Sequence, residues 1–153
     1  MIINLDVNNL ETAKSLLNVQ IPSYRVEAEI IGFDGIPQLR DTAEKLMQSN
    51  EKFIGYIMND NLVASISYTE DHNKVNICRL VVHPDYFRKG IAKALVEHVI
   101  NSIAINKRIV VTTGAKNSPA KNLYFQLGFH EVENIEVAPN IYITLMERNR
   151  IES

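Results

Sequence analysis

The sequence predicts a mixed α/β fold, a sheet of short strands with helices packed on it. Three observations predict it. Apolar residues recur at helical spacing early in the chain, then at strand spacing, then in alternation between the two. One helical segment separates the apolar runs "VNICRLVV" and "RIVVTT", an order that makes the two strands parallel through a right-handed crossover. The 153 residues, 46% hydrophobic and 22% charged, suit one domain over residues 1–153 with a real core.

Taken in order, "MIINLD" reads as a short first strand. "NNLETAKSLLNVQ" reads as a helix, with Leu10, Ala13, Leu16 and Leu17 at helical spacing and an Asn to cap it. "IPSYRVEAEI" carries a second helical pattern with Pro22 near its start, and "GIPQLRDTAEKLMQ" a third after the turn "GFDG". "KFIGYIMNDNLVASISYTE" then reads as two strands joined at Asn59-Asp60-Asn61. A turn at "DHNK" leads into "VNICRLVV", which His83-Pro84 ends. "KGIAKALVEHVINSIAIN" puts Ile91, Ala94, Leu95, Val99 and Ile103 on one stripe, and "RIVVTT" is apolar enough for a buried central strand. "SPAKNLYFQLGF" reads as a helix with Pro119 in its first turn and Gly128 just past its end. "HEVENIEVA" and "NIYITLMER" form a last strand pair around Ala138-Pro139-Asn140.

Composition narrows the function classes. A net charge of −2 lacks the basic excess of a nucleic-acid binder. The single cysteine, Cys78, permits no intramolecular disulfide, in keeping with a reducing cytoplasm. His72, His83, His98 and His130 are scattered and give no metal spacing, so no metal is expected. Neither a signal pattern nor a membrane-length apolar run is present, and a cytoplasmic protein without a membrane partner is expected.

The stretch "HPDYFRKGIAKAL" carries the first chemical signal. A helix beginning near Arg88 presents unpaired N–H groups and a partial positive charge, which suits a pyrophosphate. Gly90 and Ala92 allow close approach, while Arg88, Lys89 and Lys93 add attraction. Read alone, the stretch fits a plain solvated helix start as well. It has neither the Walker pattern nor the three glycines of a dinucleotide fingerprint. A second cluster, Asn117, Ala120, Tyr124 and Gly128-Phe129 in "NSPAKNLYFQLGF", follows the buried strand.

With both motifs in that order, the chain resembles the GCN5-related N-acetyltransferases (GNAT) over nearly its whole length. "LVVHPDYFRKGIAKAL" matches the family's pyrophosphate-loop region, and "NSPAKNLYFQLGF" its N-x-x-A-x-x-x-Y-x-x-x-G-F region. The resemblance implies a mostly antiparallel sheet of six to seven strands, helices on both faces, and two central parallel strands that splay apart. It implies acetyl-CoA as cosubstrate, its pantetheine arm added like a strand along Leu80, Val81 and Val82. Backbone N–H groups from Arg88, Lys89, Gly90, Ile91, Ala92 and Lys93 would take the pyrophosphate. The Asn117 amide would meet the pantetheine arm, a backbone N–H near Val82 would polarise the thioester carbonyl, and Tyr124 would protonate the departing thiolate. Without the resemblance, Tyr124 reads equally as an aromatic packed on the sheet with its hydroxyl hydrogen-bonded.

Three positions depart from the family pattern. Phe87 stands where the loop opens with Gln or Arg, and Ala92 where glycine is commoner. The positions of the family's glutamate base read Cys78 and Thr112. A water chain to bulk solvent is one route for the proton; Glu27 and Glu29 are alternative bases, each more commonly a solvated helix residue, and His72 a weaker one, so no base is named. Cys78 reads best as a small apolar residue of a buried strand. The acceptor, a primary amine of a small molecule or a peptide N-terminus, would meet "IPSYRVEAEIIGFDG" and "ENIEVAPNIY". Glu27, Glu29, Asp34, Glu133 and Glu136 make those segments acidic, which suits a cation or a merely solvated surface. Dimers are frequent in such folds, but no homodimer interface is legible. A second reading is an acyl-CoA-binding sensor on the same fold without turnover.

Overall fold

The computed structural model describes residues 1–149. The chain forms β1 (Ile2–Leu5), α1 (Leu10–Ile31), a 3₁₀ turn (Pro37–Arg40), α2 (Ala43–Met47), β2 (Lys52–Met58), β3 (Asn61–Glu70) and β4 (Lys74–Val82). A second 3₁₀ turn (Pro84–Tyr86), α3 (Ile91–His98) with a π turn (Val99–Ile103), β5 (Arg108–Gly114), α4 (Ser118–Gln126), β6 (His130–Ala138) and β7 (Ile141–Arg148) complete it. The seven strands lie in the order β1-β2-β3-β4-β5-β7-β6, and only β4 and β5 pair in parallel.

Strand alternation builds a core on each face of this sheet. Ile54 and Val82 point to the face covered by α3 and α4, beside Leu95, Val96, Tyr124 and Phe129. Their neighbours Phe53 and Val81 point to the other face, beside Leu16, Val19, Tyr24 and Leu46 of α1 and α2. Among the described residues no helix is long and apolar enough to cross a membrane.

Two helix boundaries differ from the sequence reading. The first two expected helices are one, a 22-residue α1 that runs through Pro22. Proline removes one helical hydrogen bond, but Ala13, Leu16, Val19, Tyr24 and Ile31 keep a buried stripe on both sides of it, so packing holds the helix together. The third expected helix is instead the 3₁₀ turn and the short α2, divided at Asp41-Thr42 because Thr42 caps α2 through its side chain. The β2–β3 turn follows the expected chemistry: Asn59 and Asp60 take φ of 51° and 65°, as a two-residue hairpin turn requires.

Candidate active site

The sheet opens at its centre. Lys74 to Ile77 of β4 pair with Arg108 to Val111 of β5, and the pairing stops there. The β3 register shifts at the same point: Tyr68 faces Ile77 and Ser67 faces Arg79, leaving Cys78 as the extra residue of a bulge. Beyond it β4 follows β3 while β5 follows β7, so the two parallel strands part. The His83 N–H donates to the Val63 carbonyl, which by antiparallel alternation turns the backbone groups of Leu80 and Val82 toward the gap. The Val82 N–H is not bare, because it donates to Ser23 Oγ of α1 at 3.2 Å. The thioester carbonyl is expected at a backbone N–H near Val82, and α1 supplies Ser23 as an acceptor at Val82 itself.

Ahead of α3 the chain curls through two left-handed residues, Arg88 (φ 62°) and Gly90 (φ 75°). Gly90 is the cap residue of α3, and no side chain caps that end, whereas Asn9, Thr42 and Asn117 cap the other helices. The first N–H groups of α3 are therefore open to an anion. A Cβ built on Gly90 would meet no atom within 4 Å, so the space in front of the loop is clear. The side chains of Arg88, Lys89 and Lys93 are exposed around it.

Behind the gap lies a cavity of about 410 Å³. Its walls come from α1, β4, β5, α4, β7 and the segment joining α1 to the first 3₁₀ turn. Tyr124 reaches it from α4, 3% exposed, with its ring 5.1 Å from that of Phe129. Among the described residues its hydroxyl has no hydrogen-bond partner. Burial, and then the nearby charge of Glu27, raise the phenol's pKa above the usual tyrosine range, so it holds its proton at neutral pH.

Asn117 has both ends of its amide engaged. Oδ1 accepts from the Ala120 N–H at 3.3 Å as the cap of α4, and Nδ2 donates to Glu27 Oε1 at 3.1 Å. The cap fixes which way the amide faces, and the face left over holds Glu27.

Glu27 is the largest departure. It is a partly buried cavity residue rather than a solvated one, because α1 runs unbroken through Pro22 and carries it onto the face of Tyr24 and Ile31. Burial raises its pKa, against the hydrogen bonds from Asn117 and the Gly114 N–H. Glu29 is exposed, as expected, and Cys78 and Thr112 line the cavity without a carboxylate. Tyr24 was missed altogether; the spacing Tyr24, Glu27, Ile31 on one helix was the signal that would have found it. Burial, then Glu27's charge, raise its hydroxyl's pKa as well. Arg79, behind these groups, is gripped by Asp41 at 3.0 Å and by Glu51.

A sheet split between parallel strands, an uncapped helix end beside the split and a tyrosine hydroxyl facing the cavity define an acyl-CoA-dependent N-acyltransferase fold. The acetyltransferase (GNAT) domain family matches residues 20–150, and the chain belongs to that family. It is 44% identical over 133 residues to the UPF0157 protein YqkA of Bacillus subtilis (strain 168), a match covering 87% of this chain and 39% of that longer protein. It is 30% identical over 131 residues to the ribosomal protein bS18-alanine N-acetyltransferase of Escherichia coli (strain K12), covering 80% of this chain and 82% of that one. The chain thus spans well under half the length of YqkA but most of the E. coli enzyme. The fold is shared with the PaiA N-acetyltransferase of Thermoplasma acidophilum, solved with coenzyme A, at a TM-score of 0.73 and 23% identity over 97% of this chain and 99% of that one. It is also shared with the crystal structure of the E. coli S18-alanine acetyltransferase, at 0.80 and 16% over 100% and 95%.

Proposed function

We propose that this chain is an acetyl-CoA-dependent N-acetyltransferase domain over residues 1–153, cytoplasmic, which moves an acetyl group to a primary amine by direct attack in a ternary complex. The observation that carries the reading is the cavity at the strand gap, which Tyr124 meets from one face of the sheet and Tyr24 and Glu27 from the other. The edge of β4 at Leu80 to Val82, which β5 leaves unpaired, receives the pantetheine amides, with Ser23 at the Val82 N–H beside them. The backbone from Arg88 through Lys93 receives the pyrophosphate, with Gly90 keeping the approach clear. Asn117 supports the site from the cap of α4. The acceptor amine attacks the thioester carbonyl carbon, and the C–S bond breaks. Tyr124 protonates the departing thiolate, whose proton affinity rises in the same desolvated setting that raises the phenol's.

The test is thiol release from acetyl-CoA across a panel of amines, with Tyr124→Phe alongside wild type. Loss of roughly 100-fold or more in kcat at little-changed acetyl-CoA affinity is expected for a general acid. The second reading, a sensor without turnover, is favoured by Cys78 and Thr112 standing where the family carries carboxylates. Acetyl-CoA binding with no amine-dependent release would select it.

A further inference from the structure

The acceptor half of the cavity has a chemistry of its own, and its consequence rests on the acetyltransferase reading above. Its walls are apolar: Ile31, Phe33 and Ile36 from the α1 side, Val137, Ile141 and Ile143 from the β6–β7 hairpin. Into this lining project one carboxylate, Glu27, and one guanidinium, Arg79. Arg79 has its charge matched at both terminal nitrogens, and only its buried Nε is left without a partner. Asp41 and Glu51 both bind it, its side chain and theirs are about nine-tenths buried, and two carboxylates outnumber its charge. Among the described lining residues no other cation faces the cavity. The site therefore offers a negative group to a substrate, and its one positive group has its charge already matched by two carboxylates.

We propose that the acceptor is a primary amine carried on an apolar frame with no carboxylate beside it, and that Glu27 receives its ammonium group and takes its proton. A carboxylate entering with the amine would be buried among isoleucines beside Glu27, with no cation whose charge is not already matched, which is costly. A polyamine would place its further cations against apolar walls. The proton ledger closes. The ammonium gives one proton to Glu27, and the freed lone pair forms the C–N bond as the C–S bond breaks. The nitrogen then loses a second proton, which replaces the one Tyr124 gives the thiolate, and Glu27 returns its own to solvent. Glu27 is suited to this because the groups around it hold its carboxylate in place without neutralising it. These are Asn117 as donor at 3.1 Å and the Gly114 backbone beside it, with the protonated phenols of Tyr24 and Tyr124 nearby. Burial raises its proton affinity toward that of an amine.

Four probes that share a size range test this: phenethylamine, phenylalaninamide, phenylalanine and spermidine. Thiol release from acetyl-CoA is measured with each, on wild type and Glu27→Gln, beside calorimetric binding of each amine to the coenzyme A-loaded protein. The expected result is kcat/KM for phenethylamine or phenylalaninamide roughly tenfold or more above phenylalanine and spermidine, lost in Glu27→Gln. The faster of the two tells whether the natural source is a free amine or an amide-masked N-terminal residue. Phenylalanine or spermidine matching or exceeding them overturns the assignment. If no amine gives release but phenethylamine binds in a Glu27-dependent way, the site stands and the transferase reading falls. If none binds and none gives release, the acceptor assignment falls.

Discussion

Glu27 shows how a single residue changes meaning with its backbone. Isolated in the sequence it is a helix glutamate, and surface is the ordinary fate of that residue. Its place in the cavity depends on Pro22 failing to end α1, which no local pattern announces. The place of Tyr124 at the cavity, by contrast, was reachable through the family resemblance, whose motif sets its spacing from Asn117 and Gly128 within one helix and its flanks. The burial of Glu27 makes a signed prediction. Its folded pKa stands above the unfolded value, so between those two values the native state binds more proton than the unfolded chain, and above both Glu27 is a carboxylate in either state. Stability from this group is present below the ordinary carboxylate pKa and is lost as pH rises through the raised one. Thermal melts of wild type should therefore decline relative to those of Glu27→Gln between acid and neutral pH, and superimposable pH trends would return Glu27 to the solvent. Asn117 admits a separation of roles. Asn117→Ser keeps a capping oxygen for α4 but removes the donor to Glu27, so it should cost only a few tenths of a kcal/mol in stability, about the spread among good caps. Its kcat should nevertheless fall, with the acid limb of the pH–rate profile displaced; an unchanged profile would show that the Glu27 bond does no positioning.

Among the elements, those with strong local patterns were read correctly. The Asn-Asp hairpin, the β-branched strands, and the proline and glycine that bracket α4 all act within a few residues. The bulge at Cys78 and the parting of β4 from β5 were reachable only through the family resemblance, since they arise from pairing with strands far away in sequence. Arg79 belongs to this class too. From β4 it ties the segment after the first 3₁₀ turn, through Asp41, to the start of β2, through Glu51. Gln20 grips Asp41 at 2.7 Å from α1. Arg79→Met should destabilise the fold by about 3–5 kcal/mol, because it leaves two buried carboxylates unpaired. Denaturant melts read this, and a loss under about 1 kcal/mol would mean the network is solvent-screened. The loop before α3 has its own test. Gly90→Val puts a branched side chain at φ 75° and into the cleared space, so coenzyme A affinity should collapse. Neutralising Arg88 and Lys89 together should weaken it only modestly, since their N–H groups remain. The reverse order in calorimetry would overturn the backbone cradle.

At the scale of the whole molecule, the sheet is what joins the parts. α3 and α4 pack on one face and α1 and α2 on the other, so Tyr124 and Glu27 start on opposite sides of a continuous layer. They share one cavity because β4 and β5 separate between them. The order of elements was enough to predict the mixed sheet, while the acceptor side needed three-dimensional closure of α1, Phe33 to Gln38 and the β6–β7 hairpin around Glu27. The central claim is that this cavity joins acetyl-CoA to an amine through Tyr124. Its most direct measurement is the steady-state rate of amine-dependent thiol release by Tyr124→Phe at saturating acetyl-CoA, with coenzyme A binding measured on the same protein. The account predicts intact binding and a rate lower by roughly two orders of magnitude or more. Wild-type turnover in the variant, with binding unchanged, would contradict it.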